Sequence, residues 1–286
     1  MRIMNADDRL ALLTPGGLRD VAELSQGAFG PDIQAVYDRW AQFTAWARQH
    51  AAVAPGEDLP GPAVTIGPPS PRPRQIFAIG LNYRDHAEES HLSPPETPAV
   101  FTKFATCLTG PYGDLPLPGD HVDWEVELVV TIGRHAWRVP ACDGWSYVAG
   151  LSVGQDYSER AVQLAGPAPQ FSLGKSFPYF GPVGPWLVTP DEFPDPDDLE
   201  MVCLVDGESV QKARTSSMIF GVAELIARLS AITPLLPGDV IFTGTPSGVG
   251  GARTPPRFLR PGQVVVSRIA GIGELRQVCV ASRPNY

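Results

Sequence analysis

The sequence predicts an α+β fold dominated by β-strands. Three observations carry that expectation. Proline (31) and glycine (29) are abundant and spread along all 286 residues. From Gln75 onward, short runs of β-branched and aromatic residues recur, most of them ending in Gly, Pro or Asp. Apolar residues repeat at three and four in only two stretches. Turn residues at this density suit many short strands better than a helical bundle. Hydrophobic residues make up 43% and charged residues 19%, which provides for a sizeable core and argues against long disorder.

Residues 1–70 read as a small α/β accessory domain with its linker, and residues 71–286 as the main domain. Two apolar runs, Leu10 to Leu13 and Leu18 to Leu24, are separated by the turn signal Pro15-Gly16-Gly17. A helix is expected to start near Pro31-Asp32, because proline is tolerated in a first turn and Asp suits its positive end. Ile33, Val36, Tyr37, Trp40, Phe43 and Ala47 then make one apolar face. The proline-rich stretch Pro55 to Pro73 reads as a linker with one short strand.

In the main domain the strand runs are IFAIG, AVFTKF, VELVVTIG, YVAGLSVG, MVCLVDG, DVIFTG and QVVVSRI. Pro237-Gly238 and Pro261-Gly262 fit type II turns, where Pro presets the first φ and Gly accepts the positive second. A helix is expected after Ser216-Ser217, with Met218, Ile219, Val222, Leu225, Ile226 and Leu229 on one face and Pro234 closing it.

A formal net charge of −9 without a basic stripe argues against nucleic acid and anionic membrane as partners. No apolar run approaches the roughly 18–20 residues a bilayer span needs, and two aspartates interrupt the N-terminal stretch where a signal peptide would be apolar. Cys107, Cys142, Cys203 and Cys279 are far apart and form no CxxC pair. A cytoplasmic protein with reduced thiols is the expectation.

The sharpest chemical feature is Trp124-Glu125-Val126-Glu127-Leu128. In a strand, Glu125 and Glu127 face one way and their apolar neighbours the other, a pattern that an ordinary half-solvated strand shares. A third acid, Asp156, ends the apolar run from Tyr147 and is expected to open a short helix that places Arg160 and Gln163 on its own face. Three converging carboxylates would repel unless a cation neutralised them. Hard oxygen ligands with open positions suit Mg²⁺, Mn²⁺ or Ca²⁺, and neither His nor Cys adjoins them as zinc would prefer. Two motif fragments are set aside. Gly174-Lys175-Ser176 lacks the upstream glycine of a P-loop, Pro169 standing there, and Arg253 occupies the last glycine position of a dinucleotide fingerprint read from Gly248.

In this order along the chain, GLNYRDHAEE, VFTKF, DWEVELVVTIG, YVAGLSVGQDYSERAVQ, GKSF, GPVGPW, DGE, TSSMIF, LLPGDVIFTGTPSGVG and IAGIGEL resemble the fumarylacetoacetate hydrolase family over roughly residues 75–286, in its branch of heptadienedioate isomerases and acylpyruvate hydrolases. The resemblance implies a rolled β-sheet catalytic domain, usually a homodimer, with Mg²⁺ or Mn²⁺ (Ca²⁺ as a substitute) on Glu125, Glu127 and Asp156. It implies substrate contacts from Arg160, Gln163, Thr245 and Tyr157, an active-site lysine at Lys175, and a lid whose His–Glu dyad falls on His86 and Glu89. The chain departs from the family at Phe104, Ala270 and Ser172-Leu173, which bears on the pocket lining and leaves the metal set intact.

The expected reaction is catabolic hydrolysis of a C–C bond in an acylpyruvate-like 2,4-dioxo acid through a metal-stabilised enolate. His86, oriented by Glu89, would activate water, and Lys175 would face the developing oxyanion. Decarboxylation or tautomerisation of an oxo-diacid on the same metal is the alternative, and a non-catalytic metabolite-binding protein stands behind both. The dyad and Lys175 favour catalysis, since a binder needs neither.

Overall fold

The computed structural model describes residues 1–51, 64–90 and 92–282. Every strand run named above forms a strand: Ile76–Gly80, Ala99–Thr102, Val126–Ile132, Val148–Gln155, Glu200–Val205, Val240–Phe242 and Val264–Ile269. Most belong to an eleven-stranded sheet. Its order is Gly17–Asp20, Arg9–Thr14, Arg2–Ala6, Gly181–Val188, Val148–Gln155, Val126–Ile132, Val240–Phe242, Ile76–Gly80 and Ala99–Thr102, with two short strands paired off this path. A five-stranded sheet runs Glu208–Arg214, Glu200–Val205, Val264–Ile269, Gly273–Ala281 and Tyr112–Leu117.

The two sheets share the main core. Val126–Ile132 and Val148–Gln155 are buried along their whole length, and Leu128, Leu151 and Val153 pack in one cluster with Met201, Cys203, Val265 and Leu275 of the smaller sheet. A strand covered on both faces reads as a continuous apolar run, which is how these two appear in the sequence. Polar side chains join the layers at chosen points. Gln155 Nε2 donates to Ser267 Oγ at 2.8 Å while its Oε1 accepts the Glu125 N–H at 2.8 Å.

Gly181–Val188, Tyr112–Leu117 and Gly273–Ala281 are strands that the sequence reading passed over. Pro182 and Pro185 resemble turn residues and have no N–H for a ladder. The strand tolerates them because its pairing with Val148–Gln155 shifts register between Leu151 and Val153. The expected N-terminal helix keeps its apolar face, with Ile33, Val36, Tyr37, Trp40, Phe43 and Ala47 all buried. It is a 3₁₀ turn over Gln34–Arg39 before the α-helix Trp40–Ala47. The second helix starts later than expected, at Val222–Ser230. Met218 to Phe220 are held out of it because Asn82 accepts the Ile219 N–H on its carbonyl (2.7 Å) and the Phe220 N–H on its side chain (2.8 Å).

The N-terminal elements have an apolar cluster of their own, and it incorporates Ala149 and Leu187 from the main sheet. Their first strand pairs with Gly181–Val188 through Arg2↔Val188 and Ile3↔Leu187. Residues 55–63 of the expected linker lie outside the described residues, and its short strand is Ile66–Gly67, paired with Arg2–Ala6.

Gly154 sits opposite Glu127 in the central pair of strands. A Cβ there would overlap Val129 Cγ2 and stand 3.0 Å from the Phe242 ring. Overpacking of a rigid core is destabilising, so Gly154→Ala is expected to cost about 1–3 kcal/mol. A thermal melt of the variant should show a lower midpoint, and an unchanged one would contradict this packing.

Candidate metal centre

The pairing of two strands brings the three predicted acids together. Val126 lies opposite Gln155 and Glu127 opposite Gly154, so Glu125, just before its strand, meets Asp156, just after its own. The Asp156 N–H donates to the Glu125 carbonyl at 2.9 Å, extending the ladder one step. One oxygen from each of Glu125, Glu127 and Asp156 lies within 4.8 Å of the others, and all three residues are buried. Asp156 does not open a helix. The short strand Ser158–Glu159 intervenes, and the helix is Arg160–Gln163.

Cations surround the acids. Lys175 Nζ donates to Glu125 Oε2 and Asp156 Oδ2, each at 2.7 Å. Lys103 Nζ reaches Asp156 Oδ1 at 2.6 Å and also the Lys175 carbonyl. Arg160 Nη1 lies 2.7 Å from Glu125 Oε1 and 2.9 Å from Gln163 Oε1, while its Nε and Nη2 donate to Asp123 Oδ2 at 2.9 and 2.7 Å. The fork that the sequence offered to a substrate is thus already engaged by two acids. Lys103 and Asp123 were missed as site residues. Strand alternation carried a signal for Asp123, two residues before Glu125 and therefore on its face. Lys103 had only its place in VFTKF, one of the segments that carry the family resemblance.

Burial alone would raise the Glu125 carboxyl, but Lys175, Arg160 and His86 outweigh it and bring it down to about 2. Glu127 goes the other way. Burial first, then the charges of Asp156 and Glu125, push it well above the usual carboxylate range, and the Gly244 N–H at 2.7 Å offsets only part of this. Burial would lower Lys175, and Asp156 and Glu125 more than restore it. Three hard carboxylate donors converging on one point, one of them unwilling to ionise beside the others, fit a divalent cation of the Mg²⁺, Mn²⁺ or Ca²⁺ type.

A cavity of about 660 Å³ opens beside the centre, with Glu125, Arg160, Gln163, Lys175, Thr245, His86 and Glu89 in its wall. His86 and Glu89 lie on the helix Arg84–Glu89, their side chains joined by Nδ1···Oε1 at 2.7 Å. Glu89 Oε2 also accepts the Gly248 N–H at 2.8 Å, which closes this helix against the glycine-rich loop. Thr245 Oγ1 donates to the Val126 carbonyl and accepts from Gln211 Nε2. Gly174 is required by packing: a Cβ would stand 2.5 Å from the Gln163 backbone nitrogen. Tyr157, expected to touch substrate, does not line this cavity. It is fully buried outside the cavity wall, and its hydroxyl donates to Gln277 Oε1 at 3.1 Å.

A rolled pair of β-sheets with a buried three-acid centre opening on a small cavity defines a class of carboxylate-centred enzymes. The chain belongs to the fumarylacetoacetate hydrolase family, since the family model Fumarylacetoacetate (FAA) hydrolase C-terminal matches residues 75–280. Its structure is similar to that of a putative HpcE protein from Mycobacterium smegmatis, with 55% identity, a TM-score of 0.93, and 99% of this chain and 100% of that one covered. The mitochondrial oxaloacetate tautomerase FAHD2A of Homo sapiens is 43% identical over 217 residues, 75% of this chain and 69% of that protein. Fumarylpyruvate hydrolase from Pseudomonas aeruginosa, solved with Mn²⁺ and pyruvate, is 29% identical at a TM-score of 0.68, covering 80% of this chain and 99% of that one.

A raised Glu127 means that the metal-free protein holds a proton there as pH falls, and a cation must displace it. Mn²⁺ affinity should therefore rise with pH above the usual carboxylate range, with proton release seen by calorimetry in buffers of different ionisation heat. Glu127→Gln should bind Mn²⁺ much more weakly and release no such proton. A pH-independent Mn²⁺ affinity in the parent protein would refute the assignment.

Proposed function

We propose that this protein is a divalent-metal-dependent hydrolase of a small 2,4-dioxo acid, using Mg²⁺ or Mn²⁺ on Glu125, Glu127 and Asp156. The observation that carries hydrolysis is the His86–Glu89 pair, 2.7 Å apart in the wall of the cavity that also exposes Glu125. Family membership supports the metal, and the Pseudomonas aeruginosa relative with bound Mn²⁺ and pyruvate supports the oxo acid.

A cation held by Glu125, Glu127 and Asp156 would supply Lewis acidity toward a 2-oxo acid. The chain supplies the rest. With ionised Glu89 accepting at Nδ1, the proton of neutral His86 resides on Nδ1, and Nε2 is left to take a proton from water. That water adds to C4 of the substrate, the C3–C4 bond breaks, and C3 gains a proton, giving a 2-oxo acid and a second carboxylic acid. Lys175, held between Glu125 and Asp156, keeps positive charge beside the oxygen that becomes negative. Arg160, fixed by Asp123, holds Glu125 in place and presents its remaining edge to the cavity.

A second reading is tautomerisation of an oxo-diacid, favoured by the 43% identity to oxaloacetate tautomerases. It asks His86 to move a proton on carbon rather than activate water. We also propose a homodimer, for which exposed Val162, Leu164 and Leu173 offer an apolar contact surface. Light scattering at micromolar concentration should give twice the 30.7 kDa chain mass, and a monomer mass would rule the dimer out.

Purified protein with Mg²⁺ or Mn²⁺, offered acetylpyruvate, oxaloacetate and a hydroxymuconate-type diacid, separates the readings by product. Under the hydrolase reading, His86→Ala, Glu89→Ala and the double variant should each lose about 10²–10⁴ in kcat. The losses should not add, because the pair acts as a unit. Oxalate binding should persist in all three. Near-parental hydrolysis by His86→Ala would shift the assignment to the tautomerase.

A further inference from the structure

Three cationic side chains occupy the cavity wall: Arg160, Lys175 and Arg253. The first two are matched with acids, as described above. Arg253 is different: among the described residues, no carboxylate lies within salt-bridge distance of it. Its hydrogen bonds are two long ones from Nη2 to backbone carbonyls, Val210 at 3.2 Å and Gly248 at 3.3 Å. Its Nε is buried with no partner. A guanidinium carries five N–H donors in a planar fork, and the two on Nη1 carry no hydrogen bond among the described residues, which leaves this arginine donors for a carboxylate.

Arg253 is also well positioned. Its charge lies over the Trp124 ring, 5.6 Å from the centroid, and Trp124 stands next to Glu125 in the chain. The loop that carries it is pinned by Asp123, which accepts the N–H groups of Gly250 (2.7 Å) and Gly251 (2.8 Å). Asp123 is the same acid that holds Arg160, so Arg253 has a fixed place relative to the centre. The same cavity wall carries apolar side chains, including Phe101, Phe171, Val249 and Phe258, together with Glu125 of the three-acid centre. A cavity that joins an acid of the candidate metal centre, apolar side chains and an arginine without an acidic partner suits a short ligand charged at both ends.

We infer that Arg253 is a specificity-determining residue that receives a second carboxylate of the substrate, so that the site selects oxo-dicarboxylic over oxo-monocarboxylic acids. The inference rests on the oxo-acid reading above and applies equally to hydrolysis and tautomerisation.

The test is binding, measured by calorimetry on the Mn²⁺-loaded protein with three length-matched pairs: oxaloacetate and 2-oxobutyrate, 2-oxoglutarate and 2-oxopentanoate, 2-oxoadipate and 2-oxohexanoate. In the parent protein at least one diacid should bind about 10- to 100-fold more tightly than its monoacid, the range of a charged hydrogen-bonded contact. Arg253→Met should bring that ratio close to one and leave monoacid and oxalate binding unchanged. Arg253→Lys, which keeps the charge without the fork, should retain part of the preference. Equal binding of diacid and monoacid by the parent in all three pairs would overturn the inference, and so would a preference that survives Arg253→Met. An equal loss for both members of a pair would mean that Arg253 merely braces the loop, and would also overturn it. Should Arg253→Met fail to fold, the parent ratio and the lysine variant decide. Binding of no oxo acid at all would instead remove the oxo-acid reading itself, and this inference with it.

Discussion

Burying several carboxylates within a few ångströms of one another is the constraint around which this molecule is organised. Each loses hydration and each repels its neighbours, and the cost falls only if the negative charge is matched nearby. Asp123, Glu125, Glu127 and Asp156 are all buried here. The chain answers with Lys103, Lys175 and Arg160, drawn from three separate regions of the sequence, and with N–H groups aimed at the remaining oxygens. Glu127 is matched least, with one N–H and no lysine or arginine in contact among the described residues, which leaves it the natural place for an exogenous cation.

The glycine-rich loop takes its sense from the same constraint. Its spacing superficially suggests phosphate binding, the usual use of a row of free N–H groups. Here those groups serve the protein's own acids: Gly244 donates to Glu127, Gly248 to Glu89, and Gly250 and Gly251 to Asp123. Gly244 has φ +98°, and a Cβ would stand 2.7 Å from Asn82 Cβ and 2.9 Å from the Ile79 carbonyl. A side chain there would therefore displace Asn82, the Ile79 carbonyl and the N–H that steadies Glu127.

What the sequence disclosed and what it hid follow from the range of the forces involved. Strand alternation is local, so Glu125 and Glu127 were legible as a pair, and the apolar runs that became buried strands were legible as strands. The junction of Glu125 with Asp156 depends on the pairing of two strands about 30 residues apart; the place of Asp156 at the end of an apolar run suggested it, and the family resemblance strengthened it. Arg160 looked like a free fork because its partner Asp123 lies 37 residues away. Met218 looked helical because Asn82, which holds the following two residues out of the helix, lies far back in the chain. Tyr157 is a strand-end residue whose direction is set by the layer it packs into, which periodicity alone does not encode. Gly181–Val188 was hidden for another reason: prolines and glycines read as turn material even where a register shift makes room for them.

That same inconspicuous strand settles how the N-terminal segment relates to the rest. Arg2 and Ile3 pair with Val188 and Leu187 at the end of Gly181–Val188, and Leu187 and Ala149 are buried within the segment's own apolar cluster. The segment is thus a seam of the main sheet. Trimming it away in search of a minimal catalytic fragment would uncover an apolar patch and a row of unpaired backbone groups, the surface on which chains stack and precipitate. Engineering by truncation or by exchange of this unit between relatives would have to carry the partner strand along with it.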